Sequence, residues 1–306
     1  MTSPKRTPSQ ASSAASFETD EQTAHRIADA FFERLASDSG ISVVDSGRGR
    51  WRVTFYVSRP VEAELARELT ASAGIAAPPL RFRHVAAANW IKRSLAGLTP
   101  VKAGRFVVHG AHDRARIAPN RIGIEIEAAL AFGTGHHGTT RGCLLALDAV
   151  CKAQGERHTP VRRILDLGTG SGVLAIAAAR ALRCRVLATD IDPQAVDAAR
   201  KNARRNGVGP LVEVLRADGV ASLHACRPFD LVFANILLAP LQRFATALTL
   251  LLAPGARIVL SGILPAQADA IIAAYRRLTL QRRIDIDGWT TLVFARRLSA
   301  KSQNSV

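Results

Sequence analysis

The sequence has few cysteines and no long apolar run. The four cysteines are Cys143, Cys151, Cys184 and Cys226, and no two of them form a C-x-x-C pair. This spacing argues against a disulfide framework or a zinc site and favours reduced thiols in a cytosolic protein. No stretch approaches the roughly 18 apolar residues of a membrane-spanning helix, and the N-terminus lacks the apolar segment of a secretory signal. We therefore expect a cytoplasmic protein with no membrane partner.

Acidic residues are also scarce, with 25 Asp and Glu against 41 Lys and Arg, which gives a net charge of +16. A strongly basic protein can bind nucleic acid. The arginines are scattered along the chain, however, and the codon bias of a GC-rich genome would produce the same excess. The basic cluster at 200–205 fits a solvated helix end better than an RNA-binding patch. We predict no stable nucleic-acid partner.

The first third of the chain has the pattern of a small α+β domain. Residues 1–21 are rich in Ser and Ala and are predicted to be a disordered tail. Helical and strand-like segments then alternate over 22–88, which favours a ferredoxin-like domain. Residues 89–100 are predicted to be a linker.

Residues 101–298 have the pattern of a second, larger domain. Apolar strands alternate with helices, which predicts a Rossmann-like α/β fold with a mostly parallel sheet covered on both faces. The last two strands flank Asp287 and Gly288, a pair typical of a hairpin turn, so the sheet should end in an antiparallel hairpin. Residues 299–306 are predicted to be a tail.

The segment ILDLGTGSG at 164–172 combines a strand with a glycine-rich turn that opens a helix. Gly168 and Gly170 in this turn let a ligand approach the backbone closely, and Asp166 precedes them. Asp190 ends the next strand, where a carboxylate can accept hydrogen bonds from a ribose. The spacing G-x-G-x-G differs from the dinucleotide fingerprint, and no P-loop is present. The pattern predicts an adenosine-containing ligand and is less typical of a turn without a ligand.

Two polar residues follow the next strands. Asp218 could bind an adenine amino group or simply cap the end of its strand, and the sequence favours neither interpretation. Asn235 stands at the exit of the fourth strand, where its side chain and neighbouring carbonyls could accept hydrogen bonds from a substrate amine. A turn-forming Asn is the alternative, but the position beside the predicted cofactor favours a functional role.

These motifs together resemble class I S-adenosylmethionine methyltransferases. Within that class, the chain resembles the ribosomal protein L11 methyltransferase (PrmA) family over about residues 89–297. The resemblance is carried by NWIKRSLAGLTPVKAGRFVVHG, AFGTGHHGTT, ILDLGTGSGVLAIAAARAL, DIDPQAVDAARKNARRNGV, FDLVFANILLAPL and LSGIL, in this order. It implies S-adenosylmethionine as cofactor and N-methylation of lysine side chains and the N-terminal amine of ribosomal protein L11. It also implies that residues 22–88 recognise the substrate.

The resemblance assigns cofactor contacts to Thr140, Gly168 and Asp190, and assigns cofactor and substrate contacts to Asn235. His136 and Gly138 depart from the family pattern, which usually has Thr and Pro there. An RNA methyltransferase acting on rRNA is the alternative function. Adenine chemistry would favour N-P-P-[YF] at the fourth strand, however, whereas this chain has N-I-L-L.

The stretch AFGTGHHGTT at 131–140 raises the question of a metal site because it contains adjacent histidines. A zinc site needs three or four converging ligands, which this segment does not offer, so we predict no metal. Thr139 and Thr140 begin a helix, and a helix N-terminus attracts a carboxylate. We predict that this stretch forms a lid and one wall of the cofactor site, facing the methionine carboxylate.

Overall fold

The computed structural model describes residues 12–34, 40–57, 60–74, 80–85, 100–126, 138–153, 160–220, 223 and 228–298. The chain divides into two compact units, Met1–Gly97 and Leu98–Val306. No helix in these ranges is long and apolar enough to cross a membrane.

The first unit has the element order β-α-β-β-α-β. Its elements are β1 (Ser12–Thr19), α1 (Glu21–Arg34), β2 (Gly40–Gly47), β3 (Arg50–Val57), α2 (Pro60–Ser72) and β4 (Arg83–Val85). The strands lie in the order β2-β3-β1-β4 and pair antiparallel throughout. Phe31 of α1 packs on Phe55 of β3 with ring centroids 4.8 Å apart, and both are fully buried. The predicted ferredoxin-like fold is therefore confirmed.

The predicted disordered tail is wrong for residues 12–19, because they form β1. This strand lies inside the sheet, between β3 and β4. Ala15 and Phe17 are buried on one face, so the segment has the alternation of a half-buried strand. The predicted linker at 89–100 falls almost entirely outside the described residues, as does the predicted tail at 299–306.

The second unit is built on a seven-stranded sheet. Its strands are β8 (Arg163–Leu167), β9 (Arg185–Asp190), β10 (Val212–Arg216), β11 (Phe229–Asn235), β12 (Leu252–Ile263), β13 (Thr279–Ile286) and β14 (Trp289–Ala295). Their order is β10-β9-β8-β11-β12-β14-β13. The first five strands are parallel, and β14 runs antiparallel to β12 and β13. The predicted parallel sheet with a closing hairpin is confirmed.

Helices cover both faces of this sheet. They are α3 (Gly138–Lys152), α4 (Val173–Leu182), α5 (Pro193–Arg205), α6 (Leu238–Arg243), α7 (Ala245–Leu251) and α8 (Ala268–Ala274). One apolar cluster packs α3, α4 and α5 on the sheet, and a second packs α6, α7 and α8. The short helices α6 and α7 meet at Phe244.

A second, smaller sheet was not predicted as a unit. It contains β5 (Val101–Ala103), β6 (Phe106–His109) and β7 (Ile122–Glu125). A 3₁₀ helix, Ala111–Arg116, connects β6 to β7, which run parallel. Phe106 and Ile124 are fully buried and belong to the same apolar cluster as α3 and α4, so this sheet is part of the second unit.

Candidate active site

The carboxyl ends of the parallel strands carry five of the six predicted site residues. Gly168 and Gly170 follow β8, while Asp190 and Asn235 end β9 and β11. Asp218 follows β10. The preceding residue, Ala217, donates a backbone hydrogen bond of 2.9 Å to the carbonyl of Asp190 at the end of β9. The strand order reverses between β8 and β11, and ligands of open α/β sheets bind at such a point.

The carboxylate of Asp190 holds the glycine loop in place. One oxygen accepts the Gly170 backbone N–H at 2.8 Å, and the other accepts the Asp192 N–H at 3.0 Å. Each carboxylate oxygen can accept a further hydrogen bond, so both remain able to receive a ribose hydroxyl. Asp218 is exposed, as a residue at the rim of a ligand site would be.

A glycine is required at position 168 because the backbone there lies close to the side chain of Ile236. Its φ is +69°, and a β-carbon there would lie 2.3 Å from Cγ2 of Ile236. Both the backbone conformation and the contact exclude a larger residue. Ile236 directly follows Asn235. The glycine loop at 168–172, hereafter the cofactor loop, therefore contacts the segment that carries Asn235, the predicted substrate-binding residue.

Asp166 belongs to the site, although it was not among the predicted contacts. It is 1% exposed, and one of its oxygens accepts the Thr169 hydroxyl at 2.6 Å and the Ala175 N–H at 3.1 Å. Burial raises the pKa of Asp166 to about 6, and the nearby Asp190 carboxylate adds to the rise. The sequence signal that could have identified Asp166 is its position two residues before Gly168.

Thr140 lies in the first turn of α3. Its side chain is fully buried, and its hydroxyl has no hydrogen-bond partner among the described residues. The Thr189 hydroxyl is also buried without a partner among these residues. An unpaired buried hydroxyl is costly, so a ligand that offers a partner to Thr140 would be favoured at this position. Residues 131–137 of the predicted lid, with His136 and His137, lie outside the described residues.

Gly138 begins α3 against the closing hairpin. A β-carbon at this residue would lie 2.2 Å from the Ile286 carbonyl oxygen, and the Arg141 guanidinium contacts the Asp287 carboxylate at 2.6 Å. No residue with a β-carbon, proline included, fits at this position unless the hairpin shifts. The close contact fixes the start of α3 next to the turn of the hairpin.

Ser261 connects this helix start to Asn235. It lies in the LSGIL segment that carries the family resemblance, but it was not among the predicted site residues. Ser261 is the Cα partner of Asn235 across β11 and β12. The buried Ser261 hydroxyl lies 2.8 Å from the Thr291 hydroxyl and 3.4 Å from the Thr139 carbonyl oxygen. The structure thus brings the start of α3, the glycine loop and the end of β11 to one edge of the sheet.

This strand order, with a glycine loop after the first parallel strand and an acidic residue at the end of the second, defines a class I methyltransferase of Rossmann-like fold. The family model described as ribosomal protein L11 methyltransferase (PrmA) matches residues 14–297. The chain belongs to this family.

Named relatives agree over almost the whole chain. A protein of Rhodopseudomonas palustris (strain BisB5) named ribosomal protein L11 methyltransferase is 50% identical over 284 residues, which cover 90% of this chain and 95% of the relative. A protein of Bradyrhizobium diazoefficiens with the same name is 51% identical over 283 residues, which cover 89% and 93% of the two chains. The crystal structure of a ribosomal protein L11 methylase from Lactobacillus delbrueckii subsp. bulgaricus has a TM-score of 0.57 and 26% identity, and covers 65% of this chain and 100% of that one.

The described residues fit the cofactor of this family, S-adenosylmethionine. The orphaned Thr140 hydroxyl at a helix N-terminus suits the methionine carboxylate. The glycine loop leaves the backbone open to a ligand, and Asp190 suits the ribose.

Proposed function

We propose that this protein transfers methyl groups from S-adenosylmethionine to lysine side chains and the N-terminal amine of ribosomal protein L11. The observation that carries the proposal is the placement of Asn235 at the end of β11, with Ile236 packed on the cofactor loop. An amide in that position can bind an amine beside the donor. The two relatives above are named ribosomal protein L11 methyltransferase, which supports L11 as the substrate. We propose the cytoplasm as the compartment.

We assign the cofactor contacts as follows. Thr140 binds the methionine carboxylate, Asp190 binds the ribose hydroxyls, and Asp218 binds the adenine amino group. Gly168 and Gly170 keep the backbone close to the ligand, and the Asn235 amide faces the methyl group. We further propose that residues 22–88 recognise L11.

When bound, S-adenosylmethionine supplies a methyl group on a cationic sulfonium. The protein has to orient a neutral amine in line with that methyl, so positioning is its main contribution. A lysine amine has an ordinary pKa near 10.4 and must first lose a proton. Desolvation beside a cationic group lowers that pKa, and the Asn235 side-chain oxygen then accepts an amine hydrogen and directs the lone pair.

The alternative is methylation of rRNA, which the net charge of +16 favours. Cytosine C5 chemistry would need a nucleophilic thiolate. Cys143 is the described cysteine nearest to the site, through its contact with Ser261, and burial raises the pKa of its thiol far above the usual range. A thiol that stays protonated does not support that chemistry.

The test is transfer of a labelled methyl group to purified L11 and, separately, to rRNA. We expect label in L11 alone, and label in RNA alone would refute the proposal. Asn235→Ala should lower kcat by about 10²-fold while the cofactor Kd stays within about threefold, because the amide acts on the acceptor. Full activity of that variant would refute the assigned role of Asn235.

A further inference from the structure

A bulge in β12 lies directly under the segment that carries Asn235. The pairing of β12 with β14 shifts register between Leu260 and Ile263, and Gly262 lies within the shift with φ +89°. A β-carbon at Gly262 would be 2.4 Å from the oxygen, 2.9 Å from the carbonyl carbon and 3.1 Å from the nitrogen of Ile236. All three are backbone atoms, so no side-chain rotation could relieve the contact.

The other side of Ile236 is held by the cofactor loop. Its Cγ2 lies 2.3 Å from the place that a β-carbon of Gly168 would take. The Ile236 backbone N–H also donates to the Ser261 carbonyl at 3.1 Å. Ile236 is therefore packed between two glycines, one in the cofactor loop and one in the β12 bulge.

The same bulge reaches the start of α3. The Ser261 hydroxyl contacts Thr291 at 2.8 Å and the Thr139 carbonyl at 3.4 Å. Thr139 precedes Thr140, which carries the orphaned hydroxyl of the cofactor site. Ser261 and Gly262 therefore link the cofactor side of the site to the acceptor side.

We propose that Gly262 is a positioning residue for methyl transfer. It sets the height of the Ile236 backbone above β12. Because Ile236 is bonded to Asn235, Gly262 thereby directs the Asn235 amide at the donor methyl. This inference rests on the proposed role of Asn235. Ordinary carbon–oxygen contact begins at roughly 3.4 Å, so a methyl group at Gly262 must displace the Ile236 carbonyl oxygen by about 1 Å. A misplacement of that size can cost about 10²-fold in rate.

The decisive comparison is Gly262→Ala against Gly207→Ala. Gly207 has φ +71°, and no atom lies within 4 Å of the place that a β-carbon there would take, so its variant carries the backbone strain without the contact. We expect Gly262→Ala to lower kcat on L11 by about 10²-fold, with KM and the cofactor Kd within about threefold. Gly207→Ala should keep the kcat of the unmodified protein. Equal kcat for the two variants would overturn the proposal.

Two further measurements keep the proposal open to refutation. If Gly262→Ala does not fold, Ile236→Ala is the second variant, because it loosens the packing of the Ile236 backbone without a clash. It should lower kcat about tenfold, and an unchanged kcat would overturn the proposal. A crystal structure of Gly262→Ala with Asn235 in its original place would overturn it whatever the activity. Failure of the unmodified protein to methylate L11 would instead refute the proposed function, so the two failures are distinguishable.

Discussion

Replacement of Gly168 by alanine tests the packing of Ile236 on the cofactor loop. The new β-carbon would lie 2.3 Å from Cγ2 of Ile236, where contact normally begins at about 3.7 Å. The two groups must separate by about 1.4 Å. The substitution also places an L-residue at φ +69°, which costs roughly 1–2 kcal/mol.

We expect this separation to move the backbone of the loop away from the cofactor that we propose to bind there. Loss of one or two hydrogen bonds at about 1–1.5 kcal/mol each weakens binding by roughly tenfold to 10²-fold. Ile236→Ala removes the clashing methyl group, so the double variant should recover cofactor affinity to within about fivefold of the unmodified protein. Only the backbone strain should remain.

The assay is calorimetric titration of the four proteins with S-adenosylmethionine, with thermal unfolding measured in parallel. Gly207→Ala is the control for strain alone, because it has a similar φ and open space. Additive effects of Gly168→Ala and Ile236→Ala on affinity would refute the reasoning, because a direct contact must give a non-additive pair.

Two other predictions concern buried polar groups of the cofactor site. Thr140→Val should raise the unfolding temperature of the cofactor-free protein, since it removes an unpaired buried hydroxyl, and it should weaken cofactor binding by about tenfold. Thr140→Ser is the control because it keeps the hydroxyl. A lower unfolding temperature or an unchanged cofactor affinity of Thr140→Val would contradict this prediction. The folded-state pKa of Asp166, about 6, lies above the ordinary value of 3.8, so its ionisation destabilises the fold as pH rises from 4 to 6. Asp166→Asn should therefore stabilise the protein more at pH 7 than at pH 4 in urea unfolding, by roughly 3 kcal/mol, and an equal effect at both pH values would contradict the assignment.

Local signals explain which parts of the fold could be predicted. The Asp192 side chain accepts the Gln194 N–H at 2.8 Å and Pro193 takes the first helical position, so α5 begins at a local sequence signal for a helix start. Asp287 and Gly288 both have positive φ, at 50° and 78°, as the hairpin turn requires. In each case neighbouring residues determine the structure.

Strand β1 could not be recognised in this way. Its sequence SSAASFET offers only Ala15 and Phe17 as buried apolar side chains, and it is held mainly by pairing with β3, some 40 residues further on. A composition rich in Ser and Ala resembles a disordered tail when that pairing is unknown. The strand therefore depends on contacts that no local pattern reveals.

The same distinction applies to the candidate active site. Asp190 and Asn235 end β9 and β11, and Gly168 follows β8. The carboxyl ends of parallel strands meet at one edge, so these three residues could be placed from the sequence. Ser261 and Gly262 lie in LSGIL, which contributed to the family resemblance, but neither residue type signals a site by itself. Their importance arises because a register shift in β12 brings them against Ile236 and Thr139. Such shifts follow from packing across the sheet, and for this reason the support of the site becomes visible only in the folded chain.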